Sequence, residues 1–337
     1  MSKKQSKQGF FSTLYVTHFF VFFIGCISMY LCLTYLNTPT QKESSFVVRK
    51  PTKSKFIAPL LLGSESSIFY EDESFSKQIN SYTDNVLHNK KALAISVYFK
   101  NLTTGSWVGI NENDHYAPAS LMKVPIMLAI FKQAEQDPTF LKKELYYDGS
   151  SDLNREEYYK PQEKILPHHS YSIEKLLDYM ITYSDNNATV LLLSVTPKTA
   201  LTEIFTDLGL PVPDDTTTGT IDYMSDKLYS RLFRVLYNST YLNEEYSEKA
   251  LKILANPDFP NGIAHSLPSG ISVANKFGER TIYNEDKTIR YRELHDCGII
   301  YVPKSPYLLC IMTKGNDFKA LETVIQDIST MTYARMK

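Results

Sequence analysis

The stretch Ala119 to Glu135 (ASLMKVPIMLAIFKQAE) is apolar on almost every side of the helix its spacing describes. A surface helix keeps a polar face toward water, so this one has to run through the middle of a protein with other elements packed around it. Pro125 then falls in the first turns, where a missing N–H removes no hydrogen bond. A chain built round such a helix needs a large shell, and the roughly 270 residues of 65–337 supply one large lobe or two intimately joined ones.

The flanking patterns fix the class. A helix over about Phe75 to Asn89 leads to Ala92 to Phe99, whose β-branched and aromatic residues predict a strand. A turn at Leu102-Thr103-Thr104-Gly105 returns the chain along Ser106 to Asn111 as the second arm of a hairpin. After the apolar helix come helical periods near Ile173 to Tyr183, Asn187 to Ser194, Leu201 to Leu208 and Asp226 to Tyr237. The chain then reverts to strands at Ile271 to Phe277, Gly298 to Val302 and Tyr307 to Thr313, and closes with a helix from Asp317 to Ala334. Strands at both ends with helices between predict an α+β fold, with one antiparallel sheet from the N- and C-terminal segments flanked by helices and a helical lobe inserted.

Ahead of this domain, Leu14 to Leu36 holds no Asp, Glu, Lys or Arg over 23 residues. As a helix it would reach about 34 Å, enough for a hydrocarbon core of about 30 Å. A secretory signal has a shorter apolar core followed by small residues, whereas this run ends in Leu-Asn-Thr-Pro. Apolar residues continue ten positions past Cys26, which sets aside a lipid-modified cysteine. The reading is therefore a cytoplasmic tail over 1–13, a transmembrane anchor over 14–36, an extracytoplasmic linker over 37–64 whose apolar patches, Phe46-Val47-Val48 and Phe56 to Leu62, allow one strand packed on the domain, and the folded domain over 65–337. Lysines lie on both sides of the run, so charge bias does not orient it.

Composition excludes other classes. Lys+Arg 36 against Asp+Glu 37 leaves no positive excess for a phosphate backbone, so nucleic acid is not an expected partner. Of the 4 cysteines, two lie in the apolar run, and Cys297 and Cys310 flank a hairpin, where buried thiols are expected over a bridge. His168-His169 lacks a third ligand of suitable spacing, and neither metal nor cofactor is expected. Nothing in the sequence sets the oligomeric state.

Ser120-Leu121-Met122-Lys123 puts a hydroxyl and an amine one helical turn apart at the start of the buried helix. A poorly solvated lysine can be neutral near physiological pH and take the proton that makes serine a nucleophile. Ser172-Ile173-Glu174-Lys175 has the same spacing, but Ser172 reads as a helix N-cap. Ser184-Asp185-Asn186 interrupts the helical lobe with three polar residues, which are either caps between two helices or a second hydroxyl and an amide near the first pair. Lys276-Phe277-Gly278 ends a strand, where glycine lets a ligand backbone lie close, and the lysine is either an edge charge or a carboxylate anchor. His295-Asp296 is either a satisfied strand-end pair or a proton acceptor.

Taken in order, these three motifs resemble S-x-x-K, S-D-N and K-[ST]-G of the penicillin-recognising serine hydrolases, most closely the class A β-lactamase-like branch. The resemblance runs from about Ala92 to the C-terminus. It implies a β-lactamase/transpeptidase-like fold in which Ser120 forms an acyl-enzyme with Lys123 as its base. Ser184 would pass a proton to the departing nitrogen, Asn186 would position substrate and Lys276 would hold its carboxylate. The backbone N–H groups of Ser120 and of Glu279, next to Gly278, would form the oxyanion hole. Phe277 departs from the pattern by removing a hydroxyl from the carboxylate site. The loop before Asp215 also lacks the Glu-x-x-x-Asn that activates the deacylating water. The implied partner is a β-lactam or a peptidoglycan stem peptide, met outside the cell membrane. The implied activities are slow-turnover hydrolysis, D-alanyl-D-alanine peptidase action, or penicillin sensing without turnover.

Overall fold

The computed structural model describes residues 18, 22–30, 47–63, 71–213 and 222–337. The chain divides into two compact units, residues 1–45 and 46–337. In the first unit residues 22–30 are helical, and the rest of the expected anchor, His18 apart, lies outside the described residues. Among the described residues no single helix is long and apolar enough to cross a membrane.

The second unit is built on a five-stranded antiparallel sheet. Its strands are β3 (Ala94–Asn101), β4 (Trp107–Ile110), β7 (Val273–Tyr283), β8 (Ile289–Ile300) and β9 (Tyr307–Gly315), in the order β4-β3-β9-β8-β7. Side chains alternate across this sheet, and both faces are buried. Ile95, Val97, Phe99, Leu309 and Ile311 join a core with α1 (Glu73–His88) and α8 (Phe318–Met336). Tyr98, Leu308, Cys310 and Met312 join the opposite core, with the helical lobe. The class inferred from the strand-helix-strand pattern is the one observed.

At the centre of the lobe runs α2 (Lys123–Gln136), preceded by a 3₁₀ turn over Ala119–Met122. Every residue from Lys123 to Phe131 is buried, and Pro125 is the third residue of α2. Around it stand α3 (Ile173–Thr182), α4 (Asn186–Ser194), α5 (Lys198–Asp207), α6 (Asp226–Asn238) and α7 (Glu244–Leu254). The seventh helix was not foreseen, nor was the hairpin of β5 (Glu144–Tyr147) and β6 (His169–Ser172). Ser172 is the N-cap of α3, its Oγ accepting from the Lys175 N–H, so the second Ser-x-x-Lys is structural.

Two features depart from the sequence reading. The linker carries two strands where at most one was expected, and packs on the domain as a strap: β1 (Val47–Arg49) pairs with β2 (Leu60–Gly63), and Phe56 and Ile57 are buried. The Glu248 carboxylate accepts from the N–H groups of Lys55, Phe56 and Ile57, while the Arg49 guanidinium donates to Asn238 Oδ1 and to the Leu102 and Ala58 carbonyls. Second, Cys297 and Cys310 form a disulfide rather than two thiols. The β8–β9 register sets them directly opposite one another, an alignment that spacing along the chain does not disclose.

Candidate active site

Ser120 sits in the 3₁₀ turn and Lys123 opens α2, so the turn aims both side chains at one point. Ala119, just before the nucleophile, has φ +48°, and Ser184 has φ +57°. Both are in the left-handed region that L-residues other than Asn and Asp rarely enter, and such backbone concentrates where function fixes it.

Lys123 is buried, with four oxygens within reach of Nζ. They are Ser120 Oγ at 2.9 Å, the Ser184 carbonyl at 2.6 Å, Ser184 Oγ at 2.9 Å and Asn186 Oδ1 at 2.7 Å. As an ammonium, Lys123 shares its three N–H bonds among these four oxygens; without its proton it keeps two N–H bonds and gains a lone pair, and only in that form can it receive the Ser120 hydroxyl proton. Burial lowers the Lys123 pKa to about 8, against the opposing pull of Glu157 and Asp185. The arrangement is a serine with its base in hydrogen-bond contact.

Ser184 Oγ lies between two amines, Lys123 Nζ and Lys276 Nζ, the latter at 3.0 Å. Lys276 is fully buried and also donates to the Phe277 carbonyl at 3.1 Å. Burial, and then the charge of Lys123, push its pKa well below the ordinary lysine value. A hydroxyl held between two such amines can receive a proton on one side as it gives one up on the other.

The middle residue of Ser184-Asp185-Asn186 is structural. Asp185 caps α4 by accepting from the N–H groups of Asn187 and Ala188, and its other contacts are Asn154 Nδ2 at 2.8 Å and the Ile165 N–H at 2.7 Å. It thereby ties the loop between β5 and β6 to the site. That loop delivers a residue the sequence reading missed. Glu157 Oε1 accepts from Asn186 Nδ2 at 2.5 Å. Glu279 faces it from β7, hydrogen-bonded to its carboxyl, and accepts from the Tyr159 N–H at 2.6 Å. Burial, and then the neighbouring Glu157 charge, raise the Glu279 pKa. The segment Ser151 to Tyr159 has neither helical nor strand period, so its sequence gave no sign that it closes over the site.

The third motif is placed differently from expectation. Lys276 reaches Ser184, but Phe277 belongs to the core on the other side of the sheet, stacked on Phe259 with ring centroids 4.1 Å apart. The room beside Gly278 is taken not by ligand but by the nucleophile's own turn. A Cβ at Gly278 would lie 2.9 Å from the Pro118 carbonyl oxygen and 3.1 Å from the Leu121 nitrogen.

The remaining candidates are absorbed by the fold. His295 is buried, its Nε2 3.1 Å from the Ala117 carbonyl and its Nδ1 accepting from the Thr313 N–H at 3.2 Å; burial lowers its pKa to about 4. Asp296 accepts from the Ile263 N–H and Asn275 Nδ2, each at 2.8 Å. His168 and His169 are exposed on the β5–β6 hairpin, and among the described residues no group of His, Cys, Asp and Glu could hold a metal. Asp214 and Asp215 lie outside the described residues.

Ser120, Lys123, Glu157, Asn186 and Glu279 open onto one cavity of about 700 Å³. The model of the β-lactamase enzyme family matches residues 75–336. No curated protein sequence matches the chain significantly. Among solved structures it is similar to a PBP-A mutant in an acyl-enzyme complex with penicillin G, at 21% identity and TM-score 0.65, covering 79% of this chain and 97% of that one. It is also similar to the TLA-3 extended-spectrum β-lactamase, at 18% identity and TM-score 0.66, covering 78% and 98%. A β-lactamase from Sphaerobacter thermophilus gives 17% identity, TM-score 0.63, and coverage of 77% and 97%. At these identities the likeness is one of fold.

Proposed function

Because the chain belongs to the β-lactamase enzyme family, we propose that it is a membrane-anchored serine hydrolase acylated at Ser120 by a β-lactam or a related amide. The observation that carries this reading is the buried Lys123 amine, in contact with Ser120 Oγ, Ser184 Oγ and Asn186 Oδ1 at once.

Ser120 Oγ attacks the acyl carbon as its proton passes to Lys123 Nζ, forming the O–C bond and an oxyanion. The N–H groups of Ser120 and Glu279 receive that oxyanion. On collapse the C–N bond breaks, and the departing nitrogen takes the Ser184 hydroxyl proton, which Lys123 replaces. Lys276, hydrogen-bonded to Ser184 Oγ, is the group this reading assigns to the substrate carboxylate. No hydroxyl at position 277 takes part, since the residue is Phe277 and its ring is in the core.

Slow deacylation belongs to the same reading. Among the described residues the carboxylates lining the cavity are Glu157 and Glu279. Glu157 is already engaged by Asn186 and by the Glu279 carboxyl, so it would have to release a partner to accept a proton from water. This favours, as a second reading, a D-alanyl-D-alanine peptidase or a penicillin-binding sensor that stays acylated. The uncharged run from Leu14 to Leu36 supports an anchor, and the Cys297–Cys310 bond supports a domain in an oxidising compartment outside the cytoplasm. The test is a labelled penicillin followed over time: a persistent adduct on the peptide containing Ser120 is expected, and no adduct at Ser120 overturns the assignment.

A further inference from the structure

A second cavity, of about 440 Å³, opens between α3 and α7 and shares no residue with the one at Ser120. Where two helices of one lobe face each other, the residues between them are ordinarily apolar. Here they are charged. α3 turns Lys175, Asp178 and Thr182 to the cavity, at steps of three and four that keep them on one side of the helix, while Leu176, Leu177, Met180 and Ile181 are buried. α7 answers with Lys249 and Lys252, one turn apart.

These charges are not spent on one another. Lys249 pairs with Glu174, which stands outside the cavity lining. Among the described residues Lys175 and Lys252 have no ion pair; the Lys175 ammonium stands over the Tyr179 ring, 5.0 Å from its centre. Asp178 is half-buried, and among the described residues its carboxylate accepts no hydrogen bond. Burial raises its pKa, an effect that the charges of Lys175 and Lys249 oppose and that of Glu174 reinforces. A carboxylate that has lost water without gaining a donor, beside amines that lack a carboxylate, leaves unsatisfied charges of both signs in one enclosure.

The signs decide what can fill it. A simple anion would meet the amines but also Asp178, and a simple cation would meet Asp178 but also the amines of Lys175, Lys249 and Lys252. A ligand with both charges a few bonds apart satisfies both. We infer that the cavity between α3 and α7 binds a free α-amino acid as its zwitterion, the ammonium donating to Asp178 and the carboxylate accepting from Lys175 and Lys252. Ile253 and the Tyr183 ring offer apolar wall to its side chain, and the volume is that of a small-molecule site. The site needs no acylation of Ser120, although it borders the same loop, because Thr182 and Tyr183 line it and run directly into Ser184.

The test is calorimetric titration of the full-length chain in lipid nanodiscs with probes of one skeleton: leucine, 4-methylpentanoate, which lacks the ammonium, and 3-methylbutylamine, which lacks the carboxylate. Leucine is expected to bind at least about tenfold more tightly than either, the ratio that a hydrogen bond to a charged group gives. Asp178→Asn should erase the preference for leucine over 4-methylpentanoate. The double variant Lys175→Gln, Lys252→Gln should erase the preference over 3-methylbutylamine. Each preference is a ratio within one variant, so a loss of folded protein does not imitate it. Inorganic phosphate or 4-methylpentanoate binding as tightly as leucine would make this an anion site and overturn the proposal. No heat from leucine at millimolar concentration, or either preference surviving its variant, would overturn it as well, whatever Ser120 does.

Discussion

Gly278 packs against Pro118: a Cβ on the glycine would stand 2.9 Å from the proline carbonyl oxygen. The edge strand β7 and the turn carrying Ser120 are thus in backbone contact, and that contact sets the distance between the two proposed oxyanion donors, the N–H groups of Ser120 and Glu279. Gly278→Ala should push the turn away from the strand. Because a displacement of about 1 Å at a reacting group can cost about 10² in rate, acylation should fall by roughly that factor. Overpacking at the contact should cost about 1–3 kcal/mol of stability. Stopped-flow acylation alongside thermal unfolding checks both, and a fully active variant would mean that the turn relaxes without moving Ser120.

Acylation should rise with pH through a midpoint near 8. Burial holds the Lys123 pKa down to about 8, and only the amine without its proton can accept one from Ser120. Below that pH the lysine is charged and the rate should drop about tenfold per unit. A rate flat from pH 6 to pH 9 would show that Lys123 is not the group taking the proton.

Ser120 and Lys123 act on one proton, so their removal should be grossly non-additive. Ser120→Ala and Lys123→Ala are each expected to abolish acylation, with the double variant little worse than either. Ser172→Ala, which removes only the cap of α3, should acylate normally and lose about 0.5–2 kcal/mol of stability. Intact protein mass spectrometry separates the two serines.

The parts of this molecule that could be read from sequence are those in which a local pattern fixes the environment. The run from Ala119 to Glu135 could be nowhere but the centre. The alternation in β3 and the amphipathic period of α3 carry their own faces, and Ser184-Asp185-Asn186 is legible because polar residues interrupt an apolar lobe. What escaped depends on partners distant in the chain. The pairing of β1 with β2 is hidden because their apolar patches, Val47-Val48 and Leu60-Leu61-Leu62, are short, and the Glu248 carboxylate and Tyr237 carbonyl that hold the strap down lie nearly 200 residues away. The length of β8 is hidden because Arg290, Arg292, Glu293 and Asp296 make its sequence look like a loop, whereas its register with β9 brings Glu293 to Lys314 and Cys297 to Cys310. Glu157 has no period and no motif, and only the closure of its loop by Asp185 and Glu279 brings it to the site.

The proposed anchor predicts that the full-length chain will sediment with membranes and keep its N-terminal residues, with the folded domain accessible to protease from outside the cytoplasm. A mature N-terminus beyond residue 36 would show instead that the apolar run is removed.

The lifetime of the acyl-enzyme is the sharpest test of how the site differs from an efficient β-lactamase. General-base help to the attacking water is worth about 10² to 10⁴ in rate. Among the described residues, Glu157 is a carboxylate lining the cavity that arrives from the loop before Ser184 rather than from the one after the helical lobe, and it is held by Asn186 Nδ2 and the Glu279 carboxyl. With its oxygens so engaged, a penicilloyl group on Ser120 should persist long enough for mass spectrometry to find it on the tryptic peptide. Glu157→Gln keeps the hydrogen bond from Asn186 to a side-chain carbonyl and removes only basicity, so it should change the adduct's lifetime by less than about threefold. If the adduct is short-lived in the unaltered protein and becomes 10² or more times longer-lived in Glu157→Gln, then Glu157 is a working base, recruited from a part of the chain where no motif announces one.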